Sequence, residues 1–538
     1  MSNNRNYSTI AVEPEDDSSP RTSSPSSRKK LHMFLGGAII GIAGAIIITS
    51  TVLLGKTIEP VPKRNVIMMI SDGFGPASET YARQYNTWIN QLDVKAMLPL
   101  DEIHVGHSRT QSSSSFVTDS AAGATAFACA QKSYNGAIGV DPNRGACGTV
   151  LESAKIHHDM LTGLVVTSRV THATPASFSA HVVHRDMENL IAEQQVGYNP
   201  LGRVVDLMFG GGRCEFTANS QPGSCRSDDR DLLAEAKEKF DWEVILSKKD
   251  YDSLQPKDAK LPLMALFSPS HMSFEIDRKP NEQPALHQMV TKALDILKTK
   301  SLEQDKGFFL MIEGSRIDMA AHNNDPAAHL YDILEYHKAA EIVKQFVDEN
   351  PNTVVISTSD HETGGFSAGR QIGEDYPEYK WNPEVIHRVQ NSSEALAYAW
   401  NTTLYASDPL NQQDYLNKEL IQAGLGIHDC TPEEVQKIKA WQSSNKTIFD
   451  LAYIFSDMVS RRALIGWATH GHSAVDVNLY AKGPSTDRLR GSHENTEIGD
   501  FIVDYLGLNL DDITKKIADI NVGEDLLQSM SKPSVYHG

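Results

Sequence analysis

Cysteine is scarce in this chain, and its spacing excludes two classes of protein. Five cysteines among 538 residues are too few for a fold held together mainly by disulfides, and none has the C-x-x-C spacing of zinc or redox motifs. Two pairs are close enough in sequence to bond in an oxidising compartment, Cys129 with Cys147 and Cys214 with Cys225, which would leave Cys430 over. Five free thiols would fit the sequence equally well.

Positive charge is also in deficit. The chain has 50 Lys and Arg against 69 Asp and Glu, a formal net charge of −19 at pH 7. This balance argues against a nucleic-acid-binding surface. The same charge repels an anionic ligand at long range. A phosphate-binding site in this protein must therefore bring its own positive charge, from arginine or from metal ions.

The N-terminal residues predict a membrane anchor. Residues 1–30 are rich in Ser, Pro and charged residues, and we predict a disordered cytoplasmic tail there. Residues 34–54 form an uncharged apolar run, which can cross about 30 Å of hydrocarbon as one helix and is too long for a signal peptide. Three N-x-S/T acceptor sites, at Asn391, Asn401 and Asn445, suit a lumenal body. These features predict a single-pass type II membrane glycoprotein.

A serine at the start of an Ala-rich segment is the first catalytic candidate. Residues 116–130 read FVTDSAAGATAFACA, and the run without proline after Asp119 and Ser120 predicts a helix that begins there. An anion beside Ser120 would meet free backbone N–H groups and the positive end of the helix dipole, which suits phosphate. An ordinary helix cap is the alternative. No G-x-S-x-G motif surrounds Ser120, so a hydrolase triad has no local support.

Four apolar runs predict buried parallel strands, at residues 65–70, 164–168, 308–312 and 353–358. Each run is followed by polar residues: Asp72, then His172 with Thr174, then Glu313, then Asp360 with His361. Segments of helix length separate the runs. We therefore predict an α/β fold, with a doubly wound, mostly parallel sheet and a polar site at its carboxyl edge. Residues 370–465 lack such runs and are predicted to form an inserted, largely helical cap.

Acidic and imidazole side chains in these segments predict metal binding. Asp318 and His322 are four residues apart on one face of a predicted helix, and His472 precedes a further predicted strand at 474–481. The candidate ligands are Asp72, Thr174, Glu313, Asp318, His322, Asp360, His361 and His472. Oxygen and imidazole ligands suit Zn²⁺ and Mg²⁺, and eight ligands exceed what one zinc needs. Two cations could support phosphoryl transfer to Ser120, with Arg185 as a fork for phosphate oxygens.

Six motifs, in this order along the chain, resemble those of the alkaline phosphatase family. They are SDGFG at 71–75, TDSAAGATAFACA at 118–130, THATPASFSAH at 171–181 followed by Arg185, EGSRIDMAAH at 313–322, SDHETGG at 359–365 and THGHSAVDVN at 469–478. The resemblance is strongest to fungal, membrane-anchored vacuolar members. It implies a homodimeric, non-specific phosphate monoester hydrolase of the vacuolar membrane, with a catalytic domain at 63–510 and a C-terminal tail at 511–538.

The resemblance also implies a role for each candidate residue. Two zinc ions would be held by two sets of three side chains, Asp318 with His322 and His472, and Asp72 with Asp360 and His361. One magnesium would be held by Asp72, Thr174 and Glu313, with His172 beside it. Ser120 would form a phosphoserine while Arg185 clamps the transferring group.

Two other interpretations remain open from the sequence. A phosphodiesterase or a sulfatase could use a similar two-metal site, although the serine nucleophile and the extra magnesium ligand Glu313 favour a monoesterase. A membrane-tethered scaffold on an inactive hydrolase fold is the second alternative. Such a scaffold would have no physical need for an intact nucleophile, arginine and ligand set.

Overall fold

The computed structural model of this chain describes residues 63–406 and 409–527. They fall in the second of two units, which begins at Pro62. The predicted tail at 1–30 and the predicted anchor at 34–54 lie outside the described residues, so both stay predictions. Within the described residues, no helix is long and apolar enough to cross a membrane.

A ten-stranded mixed sheet organises the molecule, and two small two-stranded sheets accompany it, so the described residues contain fourteen strands. The strands are β1 (Asn65–Ile70), β2 (His104–Arg109), β3 (Leu161–Arg169), β4 (Leu207–Gly211), β5 (Glu243–Ile245), β6 (Leu263–Leu266), β7 (Phe308–Glu313), β8 (Thr353–Thr358), β9 (Glu362–Thr363), β10 (Ser367–Ala368), β11 (Ile465–Gly466), β12 (His472–Ser473), β13 (Val477–Lys482) and β14 (Gly491–Glu494). The main sheet has the order β14-β2-β13-β8-β1-β7-β3-β4-β6-β5, while β10 pairs with β11 and β9 with β12.

Strand β13 makes the sheet mixed rather than parallel. It lies antiparallel between β8 and β2, whereas the other neighbouring pairs of the main sheet are parallel. Because β13 runs in the opposite direction, its first residues lie level with the last residues of β8, where Leu479 is opposite Thr358. The segment that precedes β13, which contains His472, therefore reaches the carboxyl edge of the parallel strands.

Helices flank both faces of the sheet, as predicted. They are α1 (Pro76–Ile89), α2 (Ser120–Cys129), α3 (Val150–His158), α4 (Ala173–Ser179), α5 (Glu188–Val196), α6 (Leu232–Phe240), α7 (Lys248–Ser253), α8 (Leu286–Gln304), α9 (Arg316–His322), α10 (Pro326–Glu349), α11 (Pro383–Arg388), α12 (Ser393–Ala406), α13 (Pro409–Tyr415), α14 (Pro432–Gln442), α15 (Ile448–Ala463), α16 (Asn495–Leu506), α17 (Leu510–Lys516) and α18 (Glu524–Leu527). A π-helix covers Leu416–Gly424.

The sheet separates two apolar cores, which explains the continuous apolar run of β1. Ile67 and Met69 point into one core, and Val66, Met68 and Ile70 point into the other. All five side chains are buried. A strand covered on both faces needs apolar residues at every position, not at alternate ones. The predicted α/β fold, with helices around a large sheet, is therefore confirmed.

The segment at 370–465 is helical, and within the described residues it contributes no strand to the main sheet. Its interpretation as an inserted cap stays a prediction. The predicted tail after residue 510 contacts the body over its described part. The Val183 N–H donates to the Val522 carbonyl at 2.9 Å, and the Gln194 side chain donates to the Asn521 carbonyl at 3.0 Å.

Two disulfides are present, Cys129–Cys147 and Cys214–Cys225, and Cys430 is a free thiol. The first disulfide joins residues 18 apart in sequence and starts from the last residue of α2. It therefore restrains the C-terminal end of the helix that begins at Ser120.

Replacing both Cys129 and Cys147 with alanine should lower the free energy of unfolding by about 3 kcal/mol, because a closed loop of this size restricts the unfolded chain to that extent. Denaturant unfolding followed by circular dichroism measures the change. Cys430→Ala removes a thiol that belongs to no disulfide and is the matched control. Equal stability of the double variant and this control would contradict the prediction.

Candidate active site and metal ligands

Polar side chains from the ends of four parallel strands meet at one point of the sheet. Asp72 follows β1, Glu313 ends β7, Asp360 follows β8, and Thr174 lies in α4 just after β3. The turn after Asp72 depends on Gly73, which has a φ of +75°. A Cβ atom at that position would lie 2.6 Å from the Cα atom of Asp318. Only glycine therefore lets the Asp72 loop approach helix α9 this closely.

Ser120 is the first residue of helix α2 and is buried. The helix is capped by Asp119, whose side chain accepts a hydrogen bond from the Ala122 N–H at 3.0 Å. The serine hydroxyl is therefore not used as the helix cap. Its Oγ atom lies 3.1 Å from His361 Nε2 and 3.5 Å from Asp72 Oδ1.

Asp72, Asp360 and His361 form a first group of potential metal ligands around this serine. His361 Nε2 lies 3.5 Å from Asp72 Oδ1 and 3.4 Å from Asp360 Oδ2. Ligands about 2.0–2.1 Å from a tetrahedral zinc are separated by about 3.3–3.4 Å. Four of the distances among the Ser120 hydroxyl and these three side chains, between 3.1 and 3.5 Å, are close to this spacing.

A second group lies beside the first and includes Asp318, His322 and His472. The His322 Nε2 atom is 3.3 Å from Asp318 Oδ2 and 3.1 Å from His472 Nε2, and His472 Nε2 is 3.7 Å from Asp318 Oδ1. His361 stacks on His472 with ring centroids 3.5 Å apart, and it is also close enough to share a metal with Asp318 and His472. His361 thus lies between the two groups.

A third group combines Asp72, His172 and Glu313. Thr174, the other sequence candidate, has a buried hydroxyl at the same strand ends. Within the described residues, four buried oxygens of the site lack a hydrogen bond of ordinary geometry: Asp72 Oδ2, Thr174 Oγ1, Glu313 Oε1 and Asp360 Oδ2. Buried oxygens without donors are costly unless a cation binds them. The donor set therefore fits hard and borderline metal ions.

The electrostatics of the carboxyl groups support the same conclusion. Burial raises the pKa of Asp360 to about 8, with Asp318 and Glu313 adding to the shift. Burial likewise raises the pKa of Glu313 to about 7, and it raises the pKa of Asp72 well above the usual value, with help from Asp360. Carboxylates this crowded remain ionised together only if cations neutralise them.

Hydrogen bonds to the far side of each imidazole orient the three candidate histidines. The Nδ1 atom of His322 lies 2.5 Å from the His470 carbonyl, and that of His472 lies 2.8 Å from the Thr118 carbonyl. His361 Nδ1 lies 3.2 Å from Thr363 Oγ1. All three rings therefore present Nε2 to the site, as metal ligation requires. Thr363 was not among the sequence candidates, although it lies within the SDHETGG motif.

Arg185 is held at the mouth of the site by two side chains. Its Nη1 atom lies 3.2 Å from Asp119 Oδ2, and its Nη2 atom lies 3.0 Å from His172 Nε2. Asp119 Oδ2 also accepts the Gly136 N–H at 2.9 Å. Asp119 thus fixes both the helix that carries Ser120 and the guanidinium group. Asp119 was predicted only as a flank of the nucleophile, because no local sequence pattern shows its contact with Arg185.

The remaining sequence candidates lie away from this centre. The acceptor asparagines are in or beside the helical segment at 370–465, where Asn391 donates its side-chain amide to Asp277 at 3.4 Å and Asn445 is exposed. Within the described residues, neither these asparagines nor the four disulfide cysteines share a ligand group with the side chains at the strand ends. The structure therefore brings together Ser120, Arg185 and the predicted ligands, and it separates them from the predicted modification sites.

Comparisons with known proteins agree with this geometry. The model of the alkaline phosphatase family matches residues 63–508. The alkaline phosphatase of Schizosaccharomyces pombe is 51% identical over 460 residues, which cover 84% of this chain and 83% of the relative. The repressible alkaline phosphatase of Saccharomyces cerevisiae is 44% identical over 497 residues, which cover 88% of this chain and 87% of the relative.

Solved structures share the fold. The cold-active alkaline phosphatase of a psychrophilic Shewanella species has a TM-score of 0.68 and 30% identity, covering 82% of this chain and 99% of that chain. A variant of the TAB5 alkaline phosphatase, with a histidine replaced by glutamate and Mg bound in its M3 site, has a TM-score of 0.56 and 26% identity, covering 83% and 99%. The chain belongs to the alkaline phosphatase family and is a metal-binding phosphoric monoester hydrolase.

Proposed function

We propose that Ser120 is the nucleophile of a non-specific phosphate monoester hydrolase. The observation that carries this proposal is the position of its Oγ atom, 3.1 Å from His361 and 3.5 Å from Asp72 at the start of helix α2. The serine oxygen attacks phosphorus, and the bond to the leaving alcohol breaks to give a phosphoserine. Water then hydrolyses the phosphoserine, which releases inorganic phosphate and regenerates the serine.

The ligand groups suit two zinc ions and one magnesium ion. We assign Asp318, His322 and His472 to one zinc, Asp72, Asp360 and His361 to the other, and Asp72, Thr174 and Glu313 to the magnesium. When bound, the cations lower the pKa of the serine hydroxyl and of water and stabilise the charge of the departing oxygen. Asp72 and His361, which belong to the set assigned to the other zinc, lie within 3.5 Å of the Ser120 oxygen, and the contact between His361 Nδ1 and Thr363 Oγ1 keeps the His361 ring in place.

Arg185 binds the transferring phosphoryl group in this scheme. Its planar fork can donate to two phosphoryl oxygens at once. Asp119 and His172 hold the guanidinium group from the other side, so little side-chain entropy is lost when substrate binds. The net charge of −19 repels phosphate esters at long range, so this local charge is needed for binding.

The site proposed for magnesium includes the imidazole of His172, whereas carboxylate ligands favour Mg²⁺. His172 lies with Asp72 and Glu313, and imidazole suits zinc better than magnesium. Variants of the TAB5 enzyme in which one histidine was replaced by glutamate or aspartate have Mg bound in the M3 site. We propose that His172 makes magnesium binding weaker here than a carboxylate would.

We further propose a homodimer anchored in the vacuolar membrane through residues 34–54, with a glycosylated lumenal body. Support for a protein interface comes from apolar side chains at the end of helix α1 and just after it that are exposed in the single chain. Trp88 is 40% exposed, Leu92 44%, Val94 89% and Met97 52%. Apolar residues this close together commonly mark a protein–protein contact.

The purified full-length protein should hydrolyse p-nitrophenyl phosphate much faster than bis-p-nitrophenyl phosphate or p-nitrophenyl sulfate, because the serine, the arginine and the three-metal ligand set suit a dianionic monoester. Initial rates at alkaline pH, with Zn²⁺ and Mg²⁺ supplied, measure the three activities. A faster diester or sulfate reaction would replace the monoesterase proposal with the corresponding alternative. Metal binding without hydrolysis of any of the three would favour a scaffold.

A further inference from the structure

A cavity of about 600 Å³ opens beside His322 and His472, two of the side chains assigned above to one zinc ion. One wall comes from helix α15, which contributes Phe449 and Tyr453. These residues are four apart, so they project from the same face of the helix. Helix α15 belongs to the segment at 370–465, which supplies none of the proposed metal ligands. This segment therefore contributes to the cavity but not to the reacting groups.

The aromatic wall is fixed to the metal ligands through His470. The Tyr453 ring stacks on the His470 ring with centroids 3.8 Å apart and an interplanar angle of 26°. His470 Nδ1 lies 2.9 Å from the His322 carbonyl, and His322 Nδ1 lies 2.5 Å from the His470 carbonyl. Two hydrogen bonds therefore join His322 and His470, each from one ring to the carbonyl of the other residue. The stacked rings of Tyr453 and His470 are consequently held in a fixed position next to His322, a proposed zinc ligand.

The charges around the cavity favour a neutral leaving group. Two carboxylates line it, Asp119 and Glu394, and among the described residues no lysine or arginine does so. Asp119 is paired with Arg185, and Glu394 is paired with Arg316 at 3.4 Å and accepts a hydrogen bond from Asn323 at 3.2 Å. A leaving group that carries a second phosphate would find no lysine or arginine among the described lining residues to bind it, because the nearby arginines already pair with these two carboxylates. A neutral aromatic ring would meet Phe449 and Tyr453 and could stack on them.

We propose that the wall formed by Phe449, Tyr453 and His470 binds the leaving group and favours phosphate monoesters whose leaving group carries a neutral aromatic ring. This inference rests on the proposed phosphomonoesterase function and concerns substrate choice within it. Both nucleoside monophosphates and aryl phosphates have this chemistry. They differ in the distance between the phosphorus and the aromatic ring. In a nucleotide a ribose separates the base from the ester oxygen, whereas in an aryl phosphate the ring is bonded directly to that oxygen.

Kinetics of the full-length protein on matched substrates test the proposal. AMP and ribose 5-phosphate share the ribosyl phosphate and differ in the base, and phenyl phosphate and ethyl phosphate form the aryl pair. In Tyr453→Ala and Phe449→Ala, kcat/KM should fall roughly 3- to 10-fold more for the aromatic member of a pair than for the other member. Loss on AMP alone places the ring one ribose from phosphorus, and loss on phenyl phosphate alone places it at the ester. Both outcomes support the proposal.

Two controls separate binding of the leaving group from a structural effect. Tyr453→Phe keeps the ring and should keep the preference, while Tyr379→Ala removes a ring that is 85% exposed and does not line the cavity. Inorganic phosphate has no leaving group, so its inhibition constant should not change in Tyr453→Ala.

Equal losses on both members of each pair, together with weaker phosphate inhibition, would mean that Tyr453 only positions His322, and this overturns the inference. If wild-type protein fails to hydrolyse ribose 5-phosphate, the proposed function itself is wrong.

Discussion

Replacing Ser120 with alanine should lower kcat/KM for p-nitrophenyl phosphate by about 10³-fold or more, because the variant lacks the oxygen that forms the phosphoserine. The residual rate should come from direct attack by water at the same site. Alanine is a good helix former, and the cap of helix α2 is supplied by Asp119. The fold and the metal content should therefore remain those of the wild type. Steady-state kinetics and metal analysis of the same samples measure both quantities.

Trapping with ³²P-labelled substrate gives the sharpest form of this test. Wild-type protein quenched in acid should retain label on Ser120, and the Ser120→Ala variant should retain none. Ser113 lies in the loop before the helix and is exposed, so Ser113→Ala serves as the matched control. Activity in Ser120→Ala equal to that of the control would rule out the serine nucleophile. It would leave a mechanism in which water attacks phosphorus directly.

The strands that position this site were predictable because they are buried on both faces. β1 and β8 have the predicted bounds, since their apolar residues pack alternately into the two cores. The strand predicted at 474–481 begins only at Val477. Residues 474–476 are exposed. Alternation of apolar residues continues beyond the hydrogen-bonded strand, so the pattern alone placed the start three residues too early.

The ligand positions were predictable for a different reason. Parallel strands end at one edge, so acids and imidazoles that follow them must lie close together. Asp360 and His361 are adjacent, and adjacent residues of a strand point to opposite faces. Both lie beyond the end of β8 at Thr358, so the alternation of a strand no longer separates them. A turn follows three residues later, with φ of +91° at Gly364.

The contacts that orient the site could not be inferred from the sequence. Thr363 donates to Asp318 at 2.5 Å and lies 3.2 Å from His361, although it resembles any threonine of a turn. Tyr453 reaches the site from a helix more than a hundred residues after Asp318. Such contacts depend on which elements the tertiary fold brings together. Composition and periodicity describe each element alone and contain no information about these contacts.

The second large effect is expected at Asp72, because it belongs to two of the ligand groups at once. It lies with Asp360 and His361 in one group and with His172 and Glu313 in another. Asp72→Asn keeps the shape of the side chain but removes a full negative charge from both. Metal analysis after dialysis should therefore show loss of two ions per chain. The activity should fall by about 10²- to 10⁴-fold, equivalent to several kcal/mol of lost transition-state stabilisation.

Asp318→Asn provides the matched comparison, because Asp318 lies in only one of the ligand groups. Its substitution should release one ion per chain and leave the sites around Asp72 occupied. Asp93→Asn changes an exposed carboxylate away from the strand ends and should retain the full metal content. If Asp72→Asn and Asp318→Asn lose the same number of ions, Asp72 does not bridge two sites. The third ion must then be held by Thr174 and Glu313 without Asp72, since these residues supply the remaining oxygens at that end of the sheet.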